Sequence, residues 1–204
     1  MRLGLCGFSM THKAVFLDRD GTLNEEVGYV NHCERFYLLP RTSQAIRLLN
    51  GHRFKTVVIT NQSGVARGYF PESLVQEVHQ KMVSLLRAEG AYLDGIYYCP
   101  HHPDAGDPPY RQKCRCRKPA TGLVEEAARD LELDLSKSYV VGDRGIDIEF
   151  AQKIGARGIL VLTGYGRGEW EYLRDRWRAR PDHVAENLYE AVQWILSQES
   201  SVNV

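Results

Sequence analysis

Residues 15–22 read VFLDRDGT, a short apolar run that ends in two carboxylates and a glycine. Residues two apart in an extended segment face the same way, so Asp18 and Asp20 are expected to share one site while Arg19 points elsewhere. Gly21 lets the chain turn away sharply. The stretch predicts a β-strand with a pair of carboxylates at its carboxyl end.

Two later apolar runs end in polar residues in the same way: VVITNQSG contains Thr60, and YVVGDRGID contains Asp143. Short runs rich in β-branched residues alternate along the chain with segments of helical period, which is the order of βαβ units. The sequence therefore predicts an α/β fold, a Rossmann-like parallel sheet with helices on both faces. Ligands of such sheets bind beyond the carboxyl ends of the strands, so Asp18, Asp20, Thr60 and Asp143 are expected to converge.

The expected elements follow from these periods. Strands are predicted at 14–18, 56–60, 95–99, 139–143, 158–162 and 182–185, and helices at 43–49, 74–86 after Pro71, 123–131, 146–154 and 188–196 after the N-cap Asn187. One long connection between them, CPHHPDAGDPPYRQKCRCRKP, has no periodicity, and a loop of that length is normally functional or held by something.

Composition limits the class of protein. Lys+Arg and Asp+Glu balance at 26 each among 204 residues, so no overall field attracts nucleic acid or an anionic membrane. Five cysteines are an odd number, which favours a reducing, cytoplasmic location over a disulfide-stapled secreted domain. The opening MRLGLCGFSM is too short for a signal peptide or a membrane span. We expect a monomer with one domain over 14–197 and flexible tails over 1–13 and 198–204.

Carboxylates that meet at one sheet edge repel each other unless a proton or a cation intervenes. Asp18, Asp20 and Asp143 are three such groups. A hard divalent ion bound through oxygen relieves the repulsion, and a site with few protein oxygens suits magnesium. The strand ends therefore predict a Mg²⁺ site.

The run KCRCRKP places two thiols inside a cluster of cations. A disulfide, a reactive thiolate, a metal site and a nucleic-acid-binding loop are four possible readings of it. Cys114-x-Cys116 forms a short chelating pair, and a second pair begins at Cys99 next to two histidines. This spacing favours a closed tetrahedral zinc site.

Four motifs, DRDGTLN, TNQSG, CRCRKP and GDRGID, occur in this order between Val15 and Asp147. Together they resemble the motifs of the haloacid dehalogenase superfamily of aspartate-nucleophile phosphatases. More narrowly, CPHHP…CRCRKP with DRDGTLN…GYV resembles the heptose 1,7-bisphosphate phosphatases, and the histidinol phosphatases are the nearest neighbours. The resemblance covers residues 14 to about 165, and no motif is recognised in the segment beyond it.

The resemblance implies a role for each matched residue. Asp18 would be the nucleophile, Asp20 the acid and base, and Thr60 and Lys118 would contact the phosphoryl oxygens. Mg²⁺ would bind Asp18, Asp143 and the main-chain carbonyl of Asp20, and Asp147 would support the metal shell or orient Lys118. The sugar and its second phosphate would meet Glu26, Val27, Gly28, Tyr29, Asn61, Gln62, Ser63 and Arg117. No large cap domain is expected.

The resemblance also implies which histidine completes the zinc site. The family pattern selects His101 over His102, which gives Cys99, His101, Cys114 and Cys116 as four ligands of a structural Zn²⁺. Such an ion would fold a loop that has no core of its own. Arg117 and Lys118 would then serve the phosphate.

The resemblance implies removal of the C7 phosphate from D-glycero-D-manno-heptose 1,7-bisphosphate, a small sugar-phosphate substrate, on the way to surface polysaccharide. Histidinol phosphatase and, disfavoured by the zero net charge, polynucleotide 3′-phosphatase are rival activities. A different class is a zinc-stapled nucleic-acid-binding module that uses Arg111, Lys113, Arg115, Arg117 and Lys118. That class leaves the strand-end carboxylates as unexplained negative charge.

Overall fold

The structure is a computed structural model that describes residues 11–200. Its strands are β1 (Ala14–Leu17), β2 (Lys55–Asn61), β3 (Gly95–Cys99), β4 (Tyr139–Gly142), β5 (Arg157–Val161) and β6 (His183–Ala185). They form one parallel sheet in the order β3-β2-β1-β4-β5-β6. The predicted parallel sheet is confirmed, and its carboxyl ends lie along one edge.

The helices lie between successive strands, except for α6, which follows β6. They are α1 (Thr42–Gly51), α2 (Glu72–Ala88), α3 (Gly122–Leu131), α4 (Gly145–Lys153), a single turn α5 (Gly166–Gly168) and α6 (Leu188–Ser200). Short 3₁₀ turns lie at Cys33–Arg35, Leu135–Lys137 and Arg174–Arg176, and a π-helical turn lies at Glu169–Leu173. The five predicted helices are present, with ends that differ by at most four residues, and Asn187 accepts from the Glu190 amide as the predicted N-cap.

Both faces of the sheet are covered. Val15 and Leu17 of β1 pack with α1, α2 and α6, whereas Ala14 and Phe16 pack with α3 and α4. All four side chains are buried, and full burial of one large apolar side chain contributes about 1.5–3 kcal/mol. This two-sided burial explains why β1 is apolar at every position and fixes where its next residue, Asp18, emerges.

Helix α2 shows how the sequence period becomes packing. Val75, Val78, Met82 and Leu86 recur at three and four residues and are all buried. Residues at this spacing lie on one face of a helix, so the stripe packs on the core while the other face remains polar. Gly90, with φ 74°, follows the end of the helix in the left-handed region that glycine adopts without strain.

The predicted domain boundaries are too narrow. The His12 amide donates to Glu132 O at 2.8 Å, and the Lys13 carbonyl accepts from the Lys55 amide at 2.9 Å. At the other end α6 continues to Ser200. Ordered structure therefore extends beyond 14 and 197, and the remaining parts of the predicted tails, 1–10 and 201–204, lie outside the described residues. Between residues 11 and 200, none of the helices has the length and apolar character needed to span a bilayer.

We predict that Ser138→Ala lowers stability. The buried Ser138 Oγ accepts from the Ala14 amide at 3.0 Å and donates to Asp134 O at 2.6 Å, at the amino edge of the sheet. A buried amide left without a partner costs about 1–3 kcal/mol, which corresponds to a fall in Tm of roughly 2–10 °C. Thermal unfolding measures it, with exposed Ser84→Ala on α2 as a control that should change little. An unchanged Tm for Ser138→Ala would contradict the prediction.

Candidate active site

The centre of the site is a buried lysine between two carboxylates. Lys118 Nζ donates to Asp18 Oδ1 at 2.8 Å and to Asp147 Oδ1 at 2.6 Å, and the Lys118 side chain is 3% exposed. Asn61, at the end of β2, fixes its main chain: the Lys118 amide donates to Asn61 Oδ1, and Asn61 Nδ2 donates to Lys118 O. Residues from three separate parts of the chain thus hold one ammonium group in place.

A third carboxylate joins this pair. One oxygen each of Asp18, Asp143 and Asp147 lies within 4.8 Å of the others, a grouping that could hold a metal ion. Asp143 Oδ2 accepts from the Tyr165 amide at 2.8 Å, whereas its other oxygen, Oδ1, is buried and has no hydrogen-bond partner among the described residues. Mg²⁺ binds to oxygen ligands of this kind, so an unpartnered buried carboxylate oxygen fits a cation.

Two glycines make room for Asp143. Gly21 has φ 77° and Gly164 has φ 55°, and a Cβ on either would overlap Asp143 Oδ2. Side chains other than hydrogen would therefore displace the carboxylate as well as strain the backbone. Gly21 therefore has two roles. It makes the turn that the sequence predicted, and it allows the loop after β1 to approach the loop after β4 that carries Asp143.

The electrostatics of the cluster follow from burial. Burial raises the pKa of Asp18 to about 6, with the Lys118 charge acting in the opposite direction. Burial and the neighbouring charges of Asp18 and Asp147 raise the pKa of Asp143 to about 9. Burial lowers the pKa of Lys118, but Asp147 and Asp18 outweigh it and the net pKa is raised. The single positive charge of Lys118 does not balance the negative charge that the three surrounding carboxylates can carry, whereas the addition of a divalent cation would.

Asp20 has a separate set of partners. Its carboxylate accepts from Arg19 at 2.8 and 3.0 Å, from Asn24 Nδ2 at 2.9 Å and from Gln62 Nε2 at 2.8 Å. Burial raises the pKa of Asp20, but the Arg19 charge and these hydrogen bonds outweigh it, so its pKa lies below the usual value. Arg19 lies outside the cavity that Asp18 and Asp20 line, but strand alternation stops at Leu17 and the Arg19 side chain folds back onto the Asp20 carboxylate.

A cavity of 390 Å³ opens above these groups. The residues that line it include all the sequence-predicted catalytic and substrate-binding residues except Val27, together with the predicted magnesium ligand Asp143 and its neighbour Asp147: Asp18, Asp20, Glu26, Gly28, Tyr29, Thr60, Asn61, Gln62, Ser63, Arg117, Lys118, Asp143 and Asp147. The Val27 side chain is half-buried and packs against the apolar core, so its contact with the sugar stays a prediction. Burial, then the Asp20 charge, raises the pKa of Glu26 to about 7.

Several predicted contact residues are engaged with the protein. Gln62 Nε2 donates to Thr60 Oγ1 at 3.0 Å as well as to Asp20, and Gln62 Oε1 accepts from Arg19. Arg117 Nη1 donates to the His101 carbonyl at 3.3 Å. Asn61 and Gln62 therefore orient Lys118 and Asp20 in this structure, while Ser63 and Arg117 remain side chains of the cavity wall.

The mouth of the cavity includes residues that the sequence did not single out. Arg144 donates to Glu169 Oε1 at 3.1 Å and lies over the Tyr165 ring at 4.8 Å. Glu169 Oε2 also accepts from the Gly145 amide at 2.7 Å, at the start of α4. Arg144 was visible inside GDRGID, between two carboxylates, but Tyr165 and Glu169 belong to a segment with no motif. Only the folded chain brings them to the site.

The four predicted zinc ligands are also brought together. Sγ of Cys99, Cys114 and Cys116 lie 3.1–3.5 Å apart, and His101 Nδ1 lies 3.2 Å from Cys116 Sγ. Disulfide sulfurs are about 2.05 Å apart, and sulfurs on one tetrahedral zinc with bonds of 2.3 Å are about 3.7 Å apart. The three thiols are free, so the spacing fits a shared ion better than a bond.

His101, and not His102, belongs to this cluster. His102 Nδ1 accepts from the Asp104 and Ala105 amides, and its Nε2 lies 3.0 Å from Arg67. The histidine chosen by the family pattern is therefore the one that points at the thiols.

The cations of KCRCRKP do not act as one surface. Lys118 is buried at the carboxylates, Arg117 lines the cavity, and Arg115 is exposed and pairs with Glu125 at 2.7 Å. Arg111 and Lys113 are exposed on the loop. A nucleic-acid-binding face would need these charges on a common side, so the geometry disfavours the binding-module reading.

An aspartate lies at the end of a parallel strand, a second aspartate follows two residues later, and a buried lysine and a carboxylate that could hold a cation lie beside them. This arrangement is typical of hydrolases that transfer a phosphoryl group to an aspartate. A family profile described as HAD-hydrolase-like matches residues 115–191. A D-glycero-D-manno-heptose-1,7-bisphosphate 7-phosphatase of Thermosynechococcus vestitus is 42% identical over 194 residues, 91% of this chain and 96% of that protein.

A second relative and a solved structure are also similar to this chain. A D-glycero-beta-D-manno-heptose-1,7-bisphosphate 7-phosphatase of Haemophilus ducreyi is 46% identical over 76% of this chain and 86% of that protein. A crystal structure of D,D-heptose 1,7-bisphosphate phosphatase from B. bronchiseptica, complexed with magnesium and phosphate, has a TM-score of 0.80 and 33% identity, covering 91% of this chain and 99% of that one. The chain belongs to the haloacid dehalogenase-like hydrolases, in the family of these heptose bisphosphate phosphatases, which are phosphoric monoester hydrolases.

We predict that Mg²⁺ stabilises the protein through Asp143. At 100 times its Kd a ligand adds about 2.7 kcal/mol, which is a rise in Tm of roughly 5–10 °C. Asp143→Asn should keep the metal-free Tm close to that of the parent, because the amide oxygen can still accept from Tyr165, but should lose the Mg²⁺-dependent rise.

The matched control is Asp94→Asn, a carboxylate that pairs with Lys55 at 2.9 Å in another part of the fold. This variant should keep the Mg²⁺-dependent rise even if its own Tm falls. Differential scanning fluorimetry with and without Mg²⁺ compares the two. An Asp143→Asn protein that Mg²⁺ still stabilises by the parental amount would rule out Asp143 as a ligand.

Proposed function

We propose that this chain is a Mg²⁺-dependent phosphatase that removes the C7 phosphate of D-glycero-D-manno-heptose 1,7-bisphosphate. The observation that carries the proposal is Lys118 Nζ held 2.8 Å from Asp18 Oδ1 inside the 390 Å³ cavity. The substrate is taken from the names of relatives that match 91% and 76% of the chain. A lysine held there can bind a phosphoryl oxygen beside the carboxylate that attacks it.

Asp18 is the nucleophile of this proposal. Its carboxylate attacks phosphorus, the bond to the C7 oxygen breaks, and an aspartyl phosphate forms. Lys118 stabilises the charge on the phosphoryl oxygens, and the Thr60 hydroxyl donates to another of them. Asp147 keeps Lys118 in position through its 2.6 Å ion pair.

Asp20 moves the protons. Because the pKa of Asp20 lies below the usual value without substrate, its carboxylate takes up a proton when the phosphate dianion, whose charge raises that pKa, binds beside it. Asp20 then donates this proton to the departing C7 oxygen and accepts one from the water that hydrolyses the aspartyl phosphate, so one carboxyl serves both half-reactions. Its partners Arg19, Asn24 and Gln62 hold the carboxylate form after the first step. A positioned acid and base of this kind contributes ~10²–10⁴-fold.

Asp18, Asp143 and the main-chain carbonyl of Asp20 would hold Mg²⁺. The unpartnered Asp143 Oδ1 supports this ligand set. When bound, the ion reduces the repulsion between the carboxylate nucleophile and the phosphate dianion.

The second phosphate and the sugar would occupy the outer cavity. Arg117 is the cation proposed for the phosphate that does not react, and Glu26, Gly28 and Tyr29 would contact the sugar hydroxyls. Tyr29 is 37% exposed and packs edge-on against Tyr69 with the ring centroids 4.8 Å apart. A polar cleft with an aromatic wall suits a hydrophilic, doubly anionic ligand.

We further propose that Cys99, His101, Cys114 and Cys116 bind one structural Zn²⁺. The loop that carries them contains few buried residues, so the ion would replace a core. Because Lys118 follows Cys116 by two residues, closure of the loop would also set the position of the catalytic ammonium.

Phosphate release from a substrate panel tests the proposed function. We expect the highest kcat/KM for heptose 1,7-bisphosphate, with heptose 7-phosphate, hexose bisphosphates and histidinol phosphate below it, and only background release by Asp18→Asn. Arg117→Ala should reduce the preference for the bisphosphate over the 7-monophosphate. Faster release from histidinol phosphate, or equal loss on both heptose substrates, would contradict the substrate or the role of Arg117.

Elemental analysis and kinetics of Cys116→Ser test the zinc proposal. We expect one zinc per chain in the parent, and lower occupancy together with a fall in turnover of ~10²-fold in the variant, because misplacing Lys118 by about 1 Å has that effect. Excess Mg²⁺ should not restore activity, since a hard ion does not replace a thiolate-held zinc. Cys33→Ser, outside the cluster, is the control that keeps zinc. A fully active, zinc-free Cys116→Ser protein would refute the proposal.

A further inference from the structure

Arg19 is a buried cation that the proposed chemistry does not use directly. Its side chain is 1% exposed and does not line the 390 Å³ cavity. Its Nη2 donates to both oxygens of Asp20 and to Gln62 Oε1. A guanidinium is planar and rigid, so a contact to both oxygens fixes the orientation of the carboxylate plane as well as its position. The direction in which Asp20 presents its oxygens therefore depends on where Arg19 is held.

The other end of the guanidinium is held by helix α2. Arg19 Nη1 lies 3.3 Å from Nε2 of His79. Among the described residues, His79 is the one hydrogen-bond partner of this nitrogen. Removing that acceptor would leave a buried donor unsatisfied and free the guanidinium to rotate about its Asp20 contact. His79 thus defines the second point that fixes the Arg19 plane.

His79 is itself a fixed group. Its ring is 7% exposed and packs edge-on against Tyr98, with the ring centroids 5.5 Å apart. Burial, followed by the Arg19 charge, lowers the pKa of His79 to about 3. Arginine can only donate, so Nε2 accepts and the ring proton is on Nδ1. His79 therefore stays neutral and acts as a constant acceptor.

We propose that His79 is a positioning residue for the proton-transfer step: it fixes Arg19, and Arg19 fixes the carboxyl group of Asp20 toward the departing oxygen. This inference rests on the proposed acid and base role of Asp20. Helix α2 then contributes to catalysis through a side chain that touches neither substrate nor metal.

A leaving group that needs no proton distinguishes a positioning role of His79 from a purely structural one. In the first half-reaction the Asp18–phosphorus bond forms, the bond from phosphorus to the leaving oxygen breaks, and the Asp20 proton goes to that oxygen. A sugar alkoxide requires the proton, whereas p-nitrophenolate is stable without it. Displacing Asp20 should therefore lower kcat/KM for the sugar phosphate far more than for p-nitrophenyl phosphate.

Two isosteric amides separate the roles of the two ring nitrogens. In His79→Gln the amide oxygen can occupy the place of Nε2 and accept from Arg19, whereas in His79→Asn it reaches only the place of Nδ1. We expect His79→Asn to lower kcat/KM for heptose 1,7-bisphosphate by ~10- to 10²-fold, the size expected for a displacement of about 1 Å. The same variant should stay within about threefold of the parent on p-nitrophenyl phosphate, and His79→Gln within about threefold on both.

Val78→Ala provides the matched control. Val78 is the neighbouring buried residue of α2 and packs in the apolar core, and its hydrocarbon side chain cannot accept a hydrogen bond from Arg19. Its truncation destabilises the same helix but should leave the ratio of the two kcat/KM values unchanged. KM for the sugar phosphate should also change little in His79→Asn, because the cavity wall is intact.

Asp20→Asn separates failure of this inference from failure of the proposed function. If Asp20→Asn lowers the sugar-phosphate reaction selectively and His79→Asn lowers both reactions equally or neither, His79 is structural only. If Asp20→Asn shows no dependence on the leaving group, the acid and base role is wrong and the inference falls with it. Selective loss in His79→Asn with recovery in His79→Gln supports it.

Discussion

The ammonium of Lys118 between the carboxylates of Asp18 and Asp147 is the interaction around which the site is arranged. Burying an ion pair contributes little net stability, because the desolvation of both charges offsets their attraction, but removing one partner costs about 3–5 kcal/mol. The main effect of the ion pair is therefore to fix the position of the Lys118 ammonium, and not to stabilise the fold. With Asp143 as a third buried carboxylate, the cluster carries more negative charge than Lys118 neutralises. That imbalance is what a divalent cation, and then a phosphoryl group, complete.

The parallel sheet is what makes so charged a cluster possible. Parallel strands that are buried on both faces can expose polar groups only at their ends, and β1, β2 and β4 deliver Asp18, Asn61 and Asp143 to the same edge. No one of these strands could hold Lys118 alone. The lysine reaches the edge from a long loop, and the side-chain amide of Asn61 holds its main chain there. The fold thus supplies the carboxylates, and the loop supplies the opposing charge.

The parts of the site that follow from strand order could be predicted, and those that follow from tertiary contacts could not. Asp18 and Asp143 were expected at the sheet edge because apolar runs of β-branched residues indicate where strands end. The contact between Arg19 and Asp20 was not predicted, because the alternation of a strand does not continue past its last residue, Leu17. Glu169 could not be found, since nothing in a segment without periodicity or motif indicates that its carboxylate binds the Gly145 amide.

Helix α2 links two parts of the molecule that the sequence keeps apart. Near its start, Glu72 accepts from the hydroxyls of Tyr98 and Tyr110, at 2.9 and 2.7 Å, and so ties β3 and the cysteine-containing loop to the helix. Two turns later His79 contacts Arg19 and the Tyr98 ring. A rigid helix transmits a displacement at one end to the other, because packed elements shift as units rather than deform. Helix α2 therefore contacts both the loop that carries Lys118 and the arginine that contacts Asp20. This shared contact keeps the ammonium proposed to bind the phosphoryl group at a fixed position relative to Asp20, the carboxyl group proposed to transfer the proton.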